Sequence, residues 1–547
     1  MIADIQITEK SFGDKSLMSN IKLSVDDKEK IGIVGRNGIG KSTLFHILTG
    51  QDKDFTGDIV LRRGITVAST AQEHHSLDDI TVLQYVLKGL PEYSELSHII
   101  ETYPEKMGED MKMITEYTEA LGRFDDKGFY QIEEKIEREL DNFQLTGVAH
   151  RSLASLSGGQ KRLIEVVKIM HSDSDMALID EPTNHMDYVA KQQFVDWMIT
   201  AHEAMLIITH DRDVLKHVDR IIELKDGTSI SYKGNYDAYL KQNATSTGAA
   251  MNDFEMIEKR IVNLKQKVID YQRLKEKSRN PGTIQKFKRL EMTSREELAK
   301  LQAIDKPTFW IDKESAQQLD YKTAAKYDKF KAKNIRMNIK NDESRSKHVL
   351  VKTTNLSLAY GDKLLYDNVN IDLREGEALE LRGRNGSGKT SLIRVLVEAS
   401  DAPTILSGEY AVDPKVRIGI YDQEIKEKYL NDTLETAIDK LYRDKNLPLT
   451  ETTIRKLLND YLFNDNDKNI PLKNLSGGQK ARFQIISMLA NNPQLLILDE
   501  PTNHLDLPSI EELENALAKY SGAVIYVSHD GYFRNSLGGD VLQIGAK

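Results

Sequence analysis

GRNGIGKS at Gly35–Ser42 and GRNGSGKT at Gly383–Thr390 both fit G-x-x-x-x-G-K-[ST] and stand 348 residues apart. A loop of this kind turns backbone N–H groups toward phosphate oxygens at a helix N-terminus, where the helix dipole also favours an anion. Lys41 and Lys389 are then placed for the β- and γ-phosphates of ATP, and the hydroxyls of Ser42 and Thr390 for Mg²⁺. Gly35, Arg36, Asn37, Gly38, Ile39, Gly40 and Thr43 complete the first expected ATP-binding loop. Gly383, Arg384, Asn385, Gly386, Ser387, Gly388 and Ser391 complete the second.

Each loop is followed by an apolar run ending in Asp-Glu, MALIDEP and LLILDEP. Asp180 and Asp499, at the ends of these strand-like runs, suit the magnesium shell. The adjacent Glu181 and Glu500 are positioned to orient and deprotonate an attacking water. His210 and His529 lie 29 residues past each glutamate, after the apolar runs MLIITH and VIYVSH, and suit a contact to the γ-phosphate or that water. Gln72 and Gln423, each before a Glu after a β-like run, suit the metal or the water.

LSGGQ also occurs twice, as Ser157, Gly158, Gly159, Gln160 and as Ser476, Gly477, Gly478, Gln479, each leading into a helix-like stretch. This makes a second helix N-terminus with exposed backbone donors, ready for another anion. One half cannot bring both of its anion sites to a single nucleotide without closing on itself, whereas a head-to-tail pair can. Two ATP molecules would then be sandwiched, each between one half's phosphate loop and the other half's LSGGQ, so that binding closes the pair and hydrolysis releases it.

The elements that must hold these residues follow from the spacing. LSGGQ, DEPTNH and the later histidine all repeat at 319 residues, so the chain is a tandem duplication. Gln72 and Gln423 are 351 apart, which leaves 32 extra residues in the first copy before LSGGQ. Residues about 85–145, rich in Glu, Tyr, Lys and Met, are the expected home of a helical arm. Short apolar runs ending at glycine loops alternate with helical stretches, which predicts an α/β fold with a largely parallel core sheet in each half. The expected domains are 1–240 and 346–547, joined by a basic helical linker over 241–345.

Within that linker, Phe254, Ile257, Ile261, Leu264, Val268 and Tyr271 alternate three and four apart, a coiled-coil seam. Asn280-Pro281-Gly282 forces a turn, near 279–283, and Ile284, Phe287, Leu290, Leu298 and Leu301 form a looser matching face. A hairpin of roughly 29 residues per arm would reach about 40–45 Å. Arg273, Lys275, Lys277, Arg279, Lys286, Lys288 and Arg289 crowd its tip, opposed in sequence by Glu276, and suit contacts to RNA phosphates. The stretch from Pro307 to Met337 adds Phe309, Trp310 and further lysines; it either packs the hairpin's base or extends the RNA contact.

Composition narrows the classes. The chain has 547 residues, room for two to four domains, and no cysteine, so disulfides, cysteine-ligated metals and thiol catalysis are excluded. The net charge of −10 hides an asymmetry: residues 241–340 hold 23 Lys plus Arg against 13 Asp plus Glu, a local +10 between acidic bodies. The N-terminus shows no signal-peptide pattern and no run of about 18 apolar residues occurs, so a cytoplasmic protein without a membrane partner is expected.

Phosphate loop, glutamine, LSGGQ, DEP and histidine, in that order, resemble the ATP-binding cassette superfamily over roughly 80% of the chain. By that resemblance Phe12 and Tyr360, each just before Gly-Asp-Lys, occupy the place of an aromatic that stacks on adenine. Two cassettes, a charged helical linker, an arm in the first cassette and DEPTNH in both resemble the ABC-F family. The match to DEPTNHLD is complete at Asp499–Asp506, and the first copy has Met186 for leucine. The resemblance implies a monomeric ATPase with intramolecular cassette pairing that binds the ribosome at the tRNA exit site. Its linker would reach 23S rRNA, the P-site tRNA and the peptidyl-transferase centre, regulating translation or relieving stalling. Antibiotic resistance by ribosomal protection is the alternative within that reading. An ATPase subunit of a membrane transporter is the alternative outside it, with DNA repair or chromosome maintenance a third. A transporter subunit has no use for a basic hairpin, and the chain ends directly after the second cassette, where a DNA-binding coiled coil is expected to be absent.

Overall fold

The computed structural model describes every residue except 13–14, 71–79, 107, 109, 185, 305, 308, 313–314, 317–320, 338–347, 361–362, 399–402, 423–424 and 546–547. Met1–Tyr236 and Ile335–Lys547 together make one compact body, and Asp237–Asn334 a second.

Each cassette is built on a core sheet whose order places its chemistry. In the first, the strands run Thr228–Lys233, Arg220–Lys225, Lys30–Gly35, Ala204–Ile208, Met176–Asp180, Val67–Ser69, with only the first pair antiparallel. In the second the order is Ile418–Tyr421, Leu495–Asp499, Ala523–Val527, Ala378–Arg382, Asp540–Gln543, all parallel. Leu495–Asp499 and Ala523–Val527 are buried throughout, which is why they read as unbroken apolar runs rather than alternating ones. Truncating a leucine such as Leu498, fully buried, to alanine costs about 2–5 kcal/mol. Each cassette adds an antiparallel sheet: Lys15–Met18, Ala3–Phe12, Ile21–Val25 and Thr56–Leu61 in the first, Lys363–Arg374, Val349–Tyr360 and Thr404–Val412 in the second.

Parallel strands deliver their C-terminal ends to one edge, where ligands of open α/β sheets bind. The phosphate loop, the Asp-Glu pair and the histidine therefore meet, because they follow adjacent strands.

Thr81 bridges Ser152 in the first cassette and Thr433 bridges Pro471 in the second, so these pairs bracket equivalent segments. Between the second pair lie the helices Leu434–Asp444 and Glu451–Asp460. Between the first pair, Val82–Lys88 and Ile132–Asn142 stand in their places, with Tyr93–Lys106 and Met111–Asp126 added between them. The two added helices pack on each other and account for the longer first copy.

The second body is a helical hairpin. Tyr236–Lys277 is one 42-residue helix, and Pro281–Gln302 is its 22-residue partner. Asn280 caps the second helix, its side chain accepting from the N–H groups of Gly282 and Thr283, with Pro281 in the first turn, where its missing N–H costs nothing. The paired length set by the shorter helix is about 33 Å, less than the sequence spacing suggested.

Phe254, Leu264 and Val268 are buried, and Tyr271 stacks on Phe287 with ring centroids 6.3 Å apart. On the second helix the inward face differs from expectation. Leu290 is exposed, and Glu291 and Ser294 are buried instead. Glu291 is admitted because Lys275 and Arg295 neutralise it, at 2.6 and 2.9 Å, and these cations hold its carboxyl below the usual range.

At the hairpin's base Met251, Phe254, Phe309, Ile311, Tyr327 and Phe330 form a separate small core. Asn243 donates to the Trp310 carbonyl (2.9 Å), and the Phe309 N–H donates to the Phe330 carbonyl (2.9 Å). The segment after the hairpin thus packs its base.

Candidate active site: composite nucleotide sites between the cassettes

The helix Lys41–Leu48 starts from Gly40 at φ 108° and Lys389–Leu396 from Gly388 at φ 99°, values that favour glycine. A Cβ at Gly40 would also stand 3.0–3.1 Å from Met18 and Leu17. The lysine that follows turns back on its own loop. Lys41 donates to the carbonyls of Gly35 (2.7 Å) and Arg36 (3.2 Å), and Lys389 to those of Gly383 (2.8 Å) and Arg384 (2.9 Å). Both ammonium groups are buried, and burial lowers their pKa. Ser42 donates to Asp180 and Thr390 to Asp499, each at 2.9 Å. A hydroxyl and a carboxylate oxygen converging in this way are hard oxygen donors that fit Mg²⁺.

Glu181 and Glu500 follow at φ 48° and 50°, left-handed conformations that cost an ordinary side chain energy and are retained in both copies. Burial first, then the Asp180 charge, pushes Glu181 up to about 8; burial pushes Glu500 up to about 7. Burial and the Glu500 charge lift Asp499 to about 6. His210 Nε2 lies 3.6 Å from Glu181 and His529 Nε2 lies 3.1 Å from Glu500. Burial, seconded by Lys41 and Lys389, lowers both imidazoles to about 3, so they are neutral. Both ring nitrogens of His210 are buried without a hydrogen-bond partner, as is Glu500 Oε1. Such atoms suit contact with a polar ligand.

The two cassettes meet at these sites. A cavity of about 490 Å³, well within the range of ligand pockets, is lined by Asn37, Gly38, Gly40, Lys41, Ser42, Thr43, Asp180, Glu181 and His210 from the first cassette and by Ser476, Gly477, Gly478 and His504 from the second. One phosphate loop therefore faces the other half's LSGGQ. Asn37 donates from its backbone to Asp506 (3.3 Å) and from its side chain to the His504 carbonyl (2.9 Å). A Cβ on Gly478 would come within 2.2 Å of Asn37. At the second loop, the Asn385 N–H donates to Asp187 (3.1 Å), and Arg384 lies 3.7 Å from the same carboxylate.

Some expected residues have other employment. Gln160 and Gln479 accept from the backbone N–H of Ser157 and Ser476, whose hydroxyls accept in return, closing capping boxes on the helices Gly158–Met170 and Gly477–Leu489. Gly35, Arg36, Ile39 and Gln479 are not among the residues lining the cavity. Gln72 and Gln423 lie outside the described residues. Phe12 and Tyr360 end their strands, and their side chains also lie outside the description.

Asp187 and Asp506 were missed. They stand 319 apart, two residues past the histidine of DEPTNH, and each caps its helix, Tyr188–Thr200 or Leu507–Leu517, while reaching the other cassette's phosphate loop. Their matched spacing was the available signal. Leu17, Thr70 and Arg162 also line the cavity, and no sequence pattern marked them.

On the hairpin, Arg273, Lys277, Arg279, Lys286, Lys288 and Arg289 are exposed. Lys275 is half-buried and turned inward onto Glu291.

Paired phosphate loops, each set against the opposite half, define a protein with two ATP-binding cassettes. The family model described as ABC transporter matches residues 18–184 and 366–503. The chain is 32% identical to an ATP-binding protein, YdiF, of Bacillus subtilis, over 100% of this chain and 80% of the other. It is 28% identical to the energy-dependent translational throttle protein EttA of Mycobacterium tuberculosis, over 96% of this chain and 88% of the other. Among solved structures, the archaeal ribosome recycling factor aABCE1, in complex with a ribosomal stalk protein, shares the fold at a TM-score of 0.59 and 16% identity, covering 99% of this chain and 87% of that one. The chain belongs to the ABC-F family of ATP-binding cassette proteins and is an ATPase. Among the described residues no helix is long and apolar enough to cross a membrane.

Proposed function

We propose that this ATPase acts on the ribosome, with ATP closing the two cassettes and the basic hairpin contacting RNA near the P-site tRNA from the tRNA exit site. The observation that carries the reading is the combination of a composite ATP cavity with a helical hairpin whose tip exposes Arg273, Lys277, Arg279, Lys286, Lys288 and Arg289. The name of EttA, a translational throttle, supports it. In this reading the protein is a cytoplasmic monomer with domains 1–240, 241–345 and 346–547, and 23S rRNA and the P-site tRNA are its contacts.

Glu181 and Glu500 accept the proton of the attacking water; burial raises the proton affinity of both carboxylates, which suits them to that task. His210 and His529, being neutral, donate one N–H to a phosphoryl oxygen while staying beside the glutamate. Lys41 and Lys389 exchange their loop carbonyls for phosphate oxygens. Ser42 with Asp180, and Thr390 with Asp499, would hold Mg²⁺, which when bound neutralises charge on the phosphates. Water adds to the γ-phosphorus, the β–γ bridging oxygen leaves with ADP, and loss of the shared phosphate frees one cassette from the other.

Replacing Glu181 and Glu500 together with Gln should preserve ATP binding and trap the protein on ribosomes. Failure of that variant to co-sediment with ribosomes in ATP would sink the ribosomal reading. Growth of a sensitive bacterium expressing the protein on lincosamides, pleuromutilins and macrolides separates antibiotic protection from a general role in translation.

A further inference from the structure

The duplicated motifs suggest two equal ATP sites, but the contacts beside the histidines are one-sided. The helix Tyr188–Thr200 of the first cassette begins at Asp187, which holds the second phosphate loop through Asn385. One turn further along, Lys191 crosses the interface and donates to the backbone carbonyl of His529 at 2.7 Å. The same ammonium lies 2.7 Å from Asp213 and 3.3 Å from Asp211, so its direction is fixed. Burial opposes its charge, yet these two carboxylates outweigh burial and raise its pKa. Asp213 in turn accepts from the Gly531 N–H of the second cassette.

Arg212 extends this contact. It is buried, pairs with Glu514 at 3.1 Å and stands 5.1 Å from the Tyr532 ring centroid. At the 319-residue spacing, Lys191 corresponds to Ile510, Arg212 to Gly531, Asp213 to Tyr532 and Glu514 to Val195. No reciprocal ion pair can form with those residues. The first site keeps the Asp506–Asn37 contact but has an apolar, buried Ile510 where the second has an ammonium.

His529 is consequently gripped from both sides of its peptide. Its N–H donates to Glu500 (3.3 Å), its carbonyl accepts from Lys191, and its ring sits 3.1 Å from Glu500; the corresponding His210 ring is 3.6 Å from Glu181. We propose that Lys191 is a positioning residue through which the first cassette sets His529 and Glu500 for hydrolysis, making the second ATP site dependent on a cross-interface contact that, among the described residues, the first site lacks. This rests on the roles proposed for Glu181 and Glu500. Misplacing a catalytic group by about 1 Å costs up to about a hundredfold in rate, so the loss of one such contact should be readable.

The test uses full-length protein in two backgrounds, E181Q, which leaves the Glu500 site competent, and E500Q, which leaves the Glu181 site competent. Single-turnover hydrolysis of bound ATP is followed in each. Each background should first lose about half of the ADP formed; if neither does, the glutamate roles fail and not the inference about Lys191. Lys191→Met is then added to both. The expected result is about a tenfold slower rate in E181Q with KM for ATP preserved, no more than a twofold change in E500Q, and recovery of most of the rate by Lys191→Arg. Equal slowing in both backgrounds, with or without a lower melting temperature, would assign Lys191 to general packing and overturn the proposal. So would an unchanged rate in E181Q, or a loss that Lys191→Arg does not relieve.

Discussion

The two cassettes repeat one another closely where they touch phosphate and part company a few ångströms away. Ser42–Asp180 and Thr390–Asp499 have the same 2.9 Å separation, and both glutamates hold the same left-handed backbone. At the interface, by contrast, Lys191, Arg212 and Asp213 of the first cassette correspond to Ile510, Gly531 and Tyr532 of the second. The chemistry of ATP restricts the first group in both copies, since each must satisfy the same charges. The interface need only be complementary once, and so a fused pair is free to build it from one side.

The widest separation expected between intact and disabled protein comes from removing both bases. Glu181→Gln with Glu500→Gln should reduce steady-state ATPase by about 10²–10⁴-fold while nucleotide still binds; residual turnover above a tenth of wild type would show that other groups carry the proton. The contrast between the cassette body and the hairpin is tested by Phe330→Ala, which opens the small core at the hairpin base. A fully buried Phe is worth about 3–5 kcal/mol, so hydrogen exchange across 237–334 should accelerate while the core strands of both cassettes stay protected. Uniform acceleration would mean that the hairpin does not unfold on its own.

Asp506→Ala and Asp187→Ala bear on the part of the interface that is matched. Each removes a helix cap, worth about 1 kcal/mol, and a contact to the opposite phosphate loop. Asp506→Ala should weaken ATP at the Lys41 site and Asp187→Ala at the Lys389 site, by about tenfold each on the same scale of misplacement. Weakening of the same site by both would break the crossed arrangement. The smallest effect is expected at the tip: each of Arg273, Lys277, Arg279 or Lys286 changed to Gln should lower the slope of log affinity against log salt for ribosomes by about 1. Lys275→Gln, at a side chain committed to Glu291, should change it less.

Much of the body was legible in the sequence because its constraints are local. Glycine loops, the Asp-Glu pair and the histidines sit at strand ends, and the parallel order of those strands follows from their apolar runs. The head-to-tail pairing also followed, since two anion-binding helix ends per cassette need two partners. Asp187 and Asp506 escaped notice because an aspartate capping a helix is ordinary, and its second contact lies across an interface that spacing does not reveal. The hairpin was legible in its first helix, where Phe254, Leu264 and Val268 keep a strict period. It was misread in its second, where the inward face holds Glu291 and Ser294 and Leu290 points outward. A periodicity argument admits only apolar residues to a seam, and a glutamate made tolerable by Lys275 and Arg295 is invisible to it.

Crossed construction of the ATP sites is tested most directly by Gly478→Asp, a substitution that drives a side chain from the second cassette into Asn37 of the first. Single-turnover hydrolysis should collapse in the E500Q background, where only the Lys41 site is competent, and persist in E181Q, where only the Lys389 site is. Loss confined to E181Q would place each LSGGQ on its own cassette's nucleotide and contradict the account.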